Sequence, residues 1–273
     1  MTARDVELSV ILPCFRGALV AEETVAELKP VLDASFRDRW EIIVVDDGGG
    51  DFPPQWGPDP AVSLIGLDKN LGKGRAIREG MARAGGRARI YTDVDLPYDP
   101  WLIPVMAEYL LTDGFHLVLG DRRLPESSFQ NDLPFPRRAV SSVATFLIGT
   151  LVTGGFFDTQ CGLKGVRGDV ADLLFPMIRT DRFVFDVEVV YLALRFNCSI
   201  KRLPVTPGRL THGSTVKPLM DSVRSFGDLM RIKRRAMAKA YESESLRALV
   251  DAPLRRRLSE MRERVADFPA EDD

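Results

Sequence analysis

Histidine and cysteine are scarce in this chain, with two of the first and three of the second among 273 residues. Cys14, Cys161 and Cys198 stand far apart and form no CxxC or Cys/His ligand spacing, which excludes a zinc-ribbon or disulfide-framework reading and fits a reducing, cytoplasmic setting. There is no excess of charge of either sign. Lys+Arg number 37 against 39 Asp+Glu, a formal charge of -2, so the global charge of a nucleic-acid binder is missing. The first residues lack the basic and apolar regions of a signal peptide, and no targeting address is expected. Internal repeats and low-complexity blocks are absent as well. One stretch lacks charge altogether: Ala139 to Phe157 approaches the length of a membrane span. Its many Ser, Thr and Gly residues make it only mildly apolar, so a buried helix, or one whose apolar face meets lipid, is expected before a spanning one.

What is present is 45% hydrophobic and 28% charged, enough to bury one large α/β domain with an appendage. Leu8 to Pro13 and Trp40 to Val45 are continuous apolar runs of the kind buried on both faces of a parallel sheet, and Val62 to Leu67 and Leu117 to Gly120 read as further strands. Helical spacing over Val20–Leu32, from Lys73 to about Ala84, and over Pro100–Leu111 alternates with them. Later come a short helix from Val170, a helix within Phe183–Phe196 capped by Asp186, and a last strand over Ser199–Val205. From Leu219 to Tyr241 a basic amphipathic helix is expected, either packed on its own protein or lying on an anionic membrane. Leu254, Leu258, Met261 and Val265 continue as an apolar seam suited to docking or homodimer contacts.

The polar residues gather where strands end, and open α/β sheets bind ligands in the crevice beyond those ends. Ile90, Tyr91 and Thr92 empty into Asp93-Val94-Asp95, whose carboxylates would share one side of an extended backbone and suit Mg2+ or Mn2+; the same pair also fits a solvated strand end or a helix cap. Asp46 follows a second strand and precedes three glycines, so it serves either a nucleobase or ribose, or a turn. Lys73 sits between glycines before a helix, where free N–H groups favour phosphate, although no P-loop or dinucleotide fingerprint is complete. Arg122 and Arg123 end another strand, and Arg137 and Arg138 follow a Pro- and Ser-containing loop long enough to move over a site. Glu188 lies in an apolar run, a candidate base or an arginine's partner, whereas Asp186 is either a base or a cap. Arg209, His212, Ser214 and Lys217 make a polar loop able to close over phosphate, with no metal spacing around His212.

In order, VDDGGGD, NLGKGRAIREG, TDVDLPYDP, LGDRR, DTQCGLKG and FVFDVEVV resemble the family 2 glycosyltransferases, most of all the branch that loads sugar onto dolichyl or bacterial polyprenyl phosphate. The resemblance spans about Leu8 to Lys217. It implies a GT-A fold: a Rossmann-like, mostly parallel central sheet flanked by helices, occupying residues 1–217, with a C-terminal helical extension over 218–273 for docking, membrane-surface or dimer contacts. It also implies a nucleotide-sugar donor held by Pro13, Asp46, Lys73 and Asp93, a metal at Asp93 and Asp95, and a loop of Arg209, Ser214 and Lys217 over the diphosphate. Arg122 matches the arginine of the family's Gly-Ser-Arg motif. Arg138 with Ser142, or Arg137 with Ser141, matches its acceptor-phosphate element, and Arg123 joins that basic cluster.

Two departures stand out. Pro97 occupies the position of a metal-binding Gln in dolichyl-phosphate mannose synthases, so water or Asp99 must replace it; DTQCGLK and FDVE look more like the glucosyltransferases. The expected reaction is an inverting transfer of a hexose from UDP-glucose or GDP-mannose to a polyprenyl phosphate, with peripheral membrane contact or a membrane partner protein supplying the lipid. Two alternatives remain at this stage: an alcohol acceptor, with Glu188 or Asp186 as base, and an inactive nucleotide-sugar-binding scaffold subunit, for which Pro97 argues. Asp95, Arg122, Arg138, Asp186 and Glu188 are thus the catalytic candidates.

Overall fold

A computed structural model describes residues 5–57, 59–128, 158–159, 161–182, 184–208 and 218–252. The alternation of apolar runs and amphipathic stretches folds as β1 (Leu8–Cys14), α1 (Ala18–Phe36), β2 (Trp40–Asp46), β3 (Val62–Gly66), α2 (Lys73–Arg83), β4 (Ala88–Tyr91), α3 (Leu102–Leu111) and β5 (Leu117–Asp121). After it come β6 (Lys164–Arg167), α4 (Gly168–Leu174) with a 3-10 turn at Phe175–Met177, α5 (Phe185–Arg195), β7 (Ile200–Pro204) and α6 (Pro218–Met237). Residues 244–252 are helical again.

The strands form one sheet in the order β3-β2-β1-β4-β6-β5-β7. All neighbouring pairs are parallel except those of β6, which runs antiparallel to both β4 and β5. Successive side chains of a strand point to opposite faces, and both faces are buried. Leu8, Val10, Leu12, Ile42 and Val44 pack with Ala21, Val25 and Leu28 of α1 and Ile103 and Met106 of α3. Ile11, Ile43, Val45, Leu117 and Leu119 face Ile77 and Met81 of α2, Val170 of α4 and Phe185 and Val189 of α5. Burial on both faces is why β1 and β2 read as unbroken apolar runs.

The observed α1 runs through Pro30 to Phe36, beyond the Leu32 expected, and stops where Arg37 takes a positive φ of 58° and donates its N–H to Asp33 O. No strand was expected over Asp158–Val166, yet β6 begins at Lys164 and runs to Arg167. Its sequence, KGVR, lacks an apolar alternation because Lys164 is fully buried with its charge satisfied by Asp186. At the other end, Ile232 of α6 and then Tyr241, Leu246 and Val250 are buried in the same core as α2 and α5. Among the described residues no helix is long and apolar enough to cross a membrane, and Ala139–Phe157 lies outside them.

Candidate functional site

The carboxyl ends of β1, β2, β4 and β5 share one rim, the first three through parallel pairing and β5 through β6, which is antiparallel to both β4 and β5 and enters the sheet at that rim through Cys161, Gly162 and Leu163. Two adjacent buried aspartates shape the β2 end. Asp46 accepts the N–H groups of Gly49 and Gly50 at 2.7 and 2.9 Å, the turn reading of its Asp-Gly chemistry. Asp47 reaches further, accepting the N–H groups of Leu71 and Gly72 at 2.8 Å each and so fixing the loop before α2. Pro13 pairs in register with Val45 beside them, half-buried.

Lys73, the first residue of α2, reaches Asp93, with Nζ to Oδ1 at 2.5 Å. Burial alone would lower the lysine's pKa, but the charges of Asp93 and Asp186 more than offset it and the net shift is upward. Gly162 lies against this pair: a Cβ there would overlap Asp93 Oδ2 and stand 3.0 Å from its Cγ and 3.6 Å from Lys73 Nζ. The Asp93–Asp95 segment is not the extended continuation of β4 that the sequence suggests. The strand ends at Tyr91, and a turn follows in which Leu96 N–H donates to Asp93 O while Leu96 takes a φ of 41°. Strand alternation therefore does not set the two carboxylates. The turn is tethered by Thr24 of α1, whose hydroxyl donates to Val94 O. On its far side Gly208 N–H donates to Pro97 O and Asp99 N–H to Thr206 O, so the chain leading into Arg209 leaves from beside this turn. Asp99, the expected replacement for the missing Gln, accepts Trp101 N–H at 3.0 Å.

At the end of β5, Arg122 is gripped by Asp158, its Nε and Nη2 donating at 3.0 and 2.7 Å and its backbone N–H at 2.8 Å. Burial would raise the Asp158 carboxyl, but the hydrogen bonds and charge of Arg122 outweigh it and hold the group below its usual range. Arg123 is exposed, and its N–H donates to Asp121, which also binds Arg202.

The two acidic residues of α5 differ from expectation. Asp186 lies inside the helix, whose N-cap position is Val184, so it is not a cap. Its side chain instead accepts Lys164 Nζ at 2.5 Å and Tyr91 Oη at 2.8 Å, beneath the rim. Lys164 Nζ also donates to Cys161 O, which ties the Cys161–Leu163 segment to the same cluster. Glu188 has no exposed surface; Oε2 accepts the N–H groups of Arg179 and Thr180, and Oε1 accepts Tyr241 Oη at 2.5 Å with Arg235 Nη1 3.5 Å away. Arg235 is thus the most distant of its partners, behind two backbone amides and the Tyr241 phenol. Arg137, Arg138, Ser142, Arg209, Ser214 and Lys217 lie outside the described residues.

The profile described as Glycosyl transferase family 2 matches residues 9–174, more than half of the chain. The chain belongs to this family. It is 25% identical to a dolichyl-phosphate beta-glucosyltransferase of Dictyostelium discoideum, over 88% of this chain and 78% of that protein. A protein of the same description from Drosophila melanogaster is 28% identical, over 89% and 79% respectively. Among solved structures, the glucosyl-3-phosphoglycerate synthase of Mycobacterium tuberculosis in complex with Mg2+ and UDP superposes with a TM-score of 0.53 at 18% identity, over 83% of this chain and 79% of that one. That likeness concerns the fold.

In this family 2 glycosyltransferase the rim residues fit a hard divalent cation sparingly. Asp93 already spends one oxygen on Lys73 and Pro97 offers no side-chain donor, so any protein donor set there is short, and among the described residues no group of three or more His, Cys, Asp or Glu gathers to hold a metal ion. Mg2+ and Mn2+ accept such sets, because water and substrate phosphate complete their coordination. Sequence reasoning missed four members of the rim: Asp47, Asp158, Gly162 and Lys164. The doubled aspartate before the glycines and the acidic start of DTQCGLK were visible signals. The close approach of Gly162 to Asp93 was not, since it depends on the reversed direction of β6.

Proposed function

We propose that this glycosyltransferase moves a hexose, with inversion, from a nucleotide sugar to a polyprenyl phosphate at a membrane surface. The names of the dolichyl-phosphate relatives favour glucose, and hence UDP-glucose, over mannose. The observation that carries the choice of acceptor is the full engagement of Glu188, with Asp186 bound through one oxygen to Lys164 and Tyr91. An alcohol must lose a proton to attack, whereas a phosphate is already ionised near pH 7 and needs positive charge instead of a base. Glu188 is buried with both oxygens engaged, which leaves it unavailable for proton abstraction, and Asp186 receives both Lys164 and Tyr91 on its Oδ1.

The remaining roles follow from the same chemistry. Asp46 and Asp47 shape the loops that would receive base and ribose, and Lys73 stands ready for the diphosphate at a helix N-terminus. Arg122, oriented by Asp158, would pair with phosphate oxygens, joined by Arg123, Arg137 or Arg138 and Ser142 on the acceptor side and by Arg209, Ser214 and Lys217 over the donor. A Mg2+ or Mn2+ ion held by Asp95, with Asp93 beside it, would supply positive charge for the departing diphosphate. As the acceptor oxygen bonds to the anomeric carbon from the opposite face, the bond from that carbon to the diphosphate breaks. Positioning and electrostatic stabilisation are the main contributions.

The test is incubation with UDP-glucose or GDP-mannose, with and without polyprenyl phosphate, in Mg2+, Mn2+ or chelator. A β-linked glucolipid formed only with UDP-glucose, the lipid and a divalent ion is expected, and its loss in Asp95→Asn. Transfer to a simple alcohol at comparable rate, unaffected by Arg122→Ala, would refute the proposal.

A further inference from the structure

Glu188 is fully buried, yet it joins the loop before α5 to a C-terminal segment remote in sequence. Its Oε2 accepts Arg179 and Thr180 N–H groups at 3.1 and 2.8 Å; its Oε1 accepts Tyr241 Oη and faces Arg235. Arg235 and Tyr241 belong to the C-terminal segment, where Tyr241 is 1% exposed and its carbonyl accepts Arg195 Nε at 3.2 Å. The loop held by Glu188 is clamped on its other side by α2. Arg78 donates to Ile178 O and to Asp181 Oδ1, both at 2.6 Å, and Arg75 N–H donates to Asp181 O at 3.1 Å. Contact there is too close for side chains: a Cβ at Gly72 would stand 2.6 Å from Asp181 O, and one at Gly74 2.8 Å from Thr180 O. Gly72 also has a φ of 108°, which other residues rarely adopt. Between these two glycines sits Lys73, the partner of Asp93.

We propose that Glu188, together with Tyr241 and Arg235, is a positioning residue for the nucleotide-sugar site: the C-terminal segment, through the loop 178–182, sets where Lys73 meets Asp93. The inference rests on the nucleotide-sugar reading of that site. Its physical basis is continuity. The links are the Glu188 bonds to the Tyr241 phenol and to two loop amides, the Arg78 bonds to Ile178 O and Asp181, and the Arg75 N–H bond to Asp181 O, so releasing the Glu188 end of the loop lets the loop and the first turn of α2 shift together. A carboxylate suits the node because it can accept from two amides and a phenol at once, whereas a neutral side chain offers fewer acceptor positions.

The experiment compares Tyr241→Phe, Glu188→Gln, Glu188→Ala and Leu246→Ala with wild type. Leu246 is buried in the same C-terminal segment but has no polar group to engage Glu188, so it controls for stability alone. Three quantities are read: donor KM against kcat, thermal midpoint, and amide hydrogen exchange over residues 71–75 and 178–182. Tyr241→Phe is expected to raise donor KM about 3- to 10-fold with little change in kcat and to speed exchange in both segments. Glu188→Gln, which keeps an acceptor for the loop amides, should fall between wild type and Glu188→Ala. Leu246→Ala should lower the thermal midpoint and leave KM and exchange over 71–75 unchanged. Wild-type KM and exchange in Tyr241→Phe, or an equal response in Leu246→Ala, would overturn the inference. If wild type binds neither UDP- nor GDP-sugars by calorimetry, the nucleotide-sugar reading fails by itself, and unaltered exchange over 71–75 in Tyr241→Phe would still sink the coupling.

Discussion

Gly162→Ala tests whether the site depends on the close approach of β6 to the β4 end. The added Cβ would lie 3.0 Å from Asp93 Cγ and overlap Asp93 Oδ2. Carbon atoms rest about 3.5–4.0 Å apart and the overlap at Oδ2 is tighter than that at Cγ, so the carboxylate must retreat by about 1 Å or more. The backbone can stay, because the obstructing atoms are the end of a half-exposed side chain and Gly162 is not among the residues with positive φ. The consequence falls on the Lys73–Asp93 pair and on whatever the remaining Asp93 oxygen contacts. A misplacement near 1 Å can cost about 100-fold, so kcat/KM for the nucleotide sugar should fall ~30- to 100-fold, about 2–2.7 kcal/mol of transition-state stabilisation. Gly165→Ala is the control. Its Cβ would meet Leu110 Cδ1 at 2.9 Å and Ile90 Cγ1 at 3.2 Å, a milder overpacking three residues further on, inside β6, against apolar side chains. Both variants should lose about 1–3 kcal/mol of stability in urea melts, and only Gly162→Ala should lose catalytic efficiency. If initial-rate assays gave the two variants equal kcat/KM, the geometry of Asp93 would not matter to the reaction.

Three further outcomes follow from the buried charges and thiols. Lys164→Met strands the Asp186 carboxylate and should cost about 3–5 kcal/mol, whereas Lys164→Met with Asp186→Leu should recover most of it; urea midpoints that fail to recover would mean the pair is not the relevant contact. Asp158 titrates lower in the folded chain than its ordinary value of 3.8, so it adds stability that is full above that value and is lost as pH falls through the folded one. Asp158→Asn should therefore lower the denaturation midpoint at neutral pH and flatten its acid limb; an unchanged acid limb would contradict the assignment. Burial is the first cause that pushes Cys14 and Cys198 up to about 12 and raises Cys161 as well, so a disulfide exchange reagent at pH 8 should label three thiols after unfolding and almost none before. A rapidly labelled thiol in the native protein would show that one of these pockets opens.

The elements most legible in the sequence are those whose energetics are apolar and local. Leu8–Cys14 and Trp40–Asp46 are read almost to the residue because both faces of each strand are buried. The same rule hides β6, since a lysine at 0% exposure counts as polar in any pattern and only the distant Asp186 makes it compatible with a core. Asp93 and Asp95 were identifiable as rim residues from the strand that precedes them. Their geometry was not, because the turn that follows is fixed by Thr24 on one side and the chain around Gly208 on the other, residues distant in sequence. Glu188 shows the limit in another way. A carboxylate in an apolar run has two readings, base or structural partner, and the choice depends on Tyr241, some fifty residues later.

These points bear on what makes the rim a site at all. A parallel sheet alone would bring Asp46, Asp93 and Arg122 to one edge, but each would be an isolated charge on its own loop. The reversed strand changes this. Because β6 runs opposite to its neighbours, its entering segment stands at the rim, where Gly162 lies against Asp93, and it is anchored from beneath by Lys164, which donates to Cys161 O and to Asp186. Asp158, four residues before Gly162, reaches Arg122 from the same stretch. One stretch thus supplies the charge partner of Arg122 and the close contact to Asp93, so the spacing between the Lys73–Asp93 pair and the Arg122 guanidinium depends on that stretch. Substitutions that shift it should alter donor and acceptor handling together, whereas Asp158→Asn alone should weaken acceptor use and leave nucleotide affinity near wild type. Steady-state kinetics with the nucleotide sugar and the lipid phosphate varied separately would distinguish the two, and a matching loss of nucleotide affinity in Asp158→Asn would refute this division of labour.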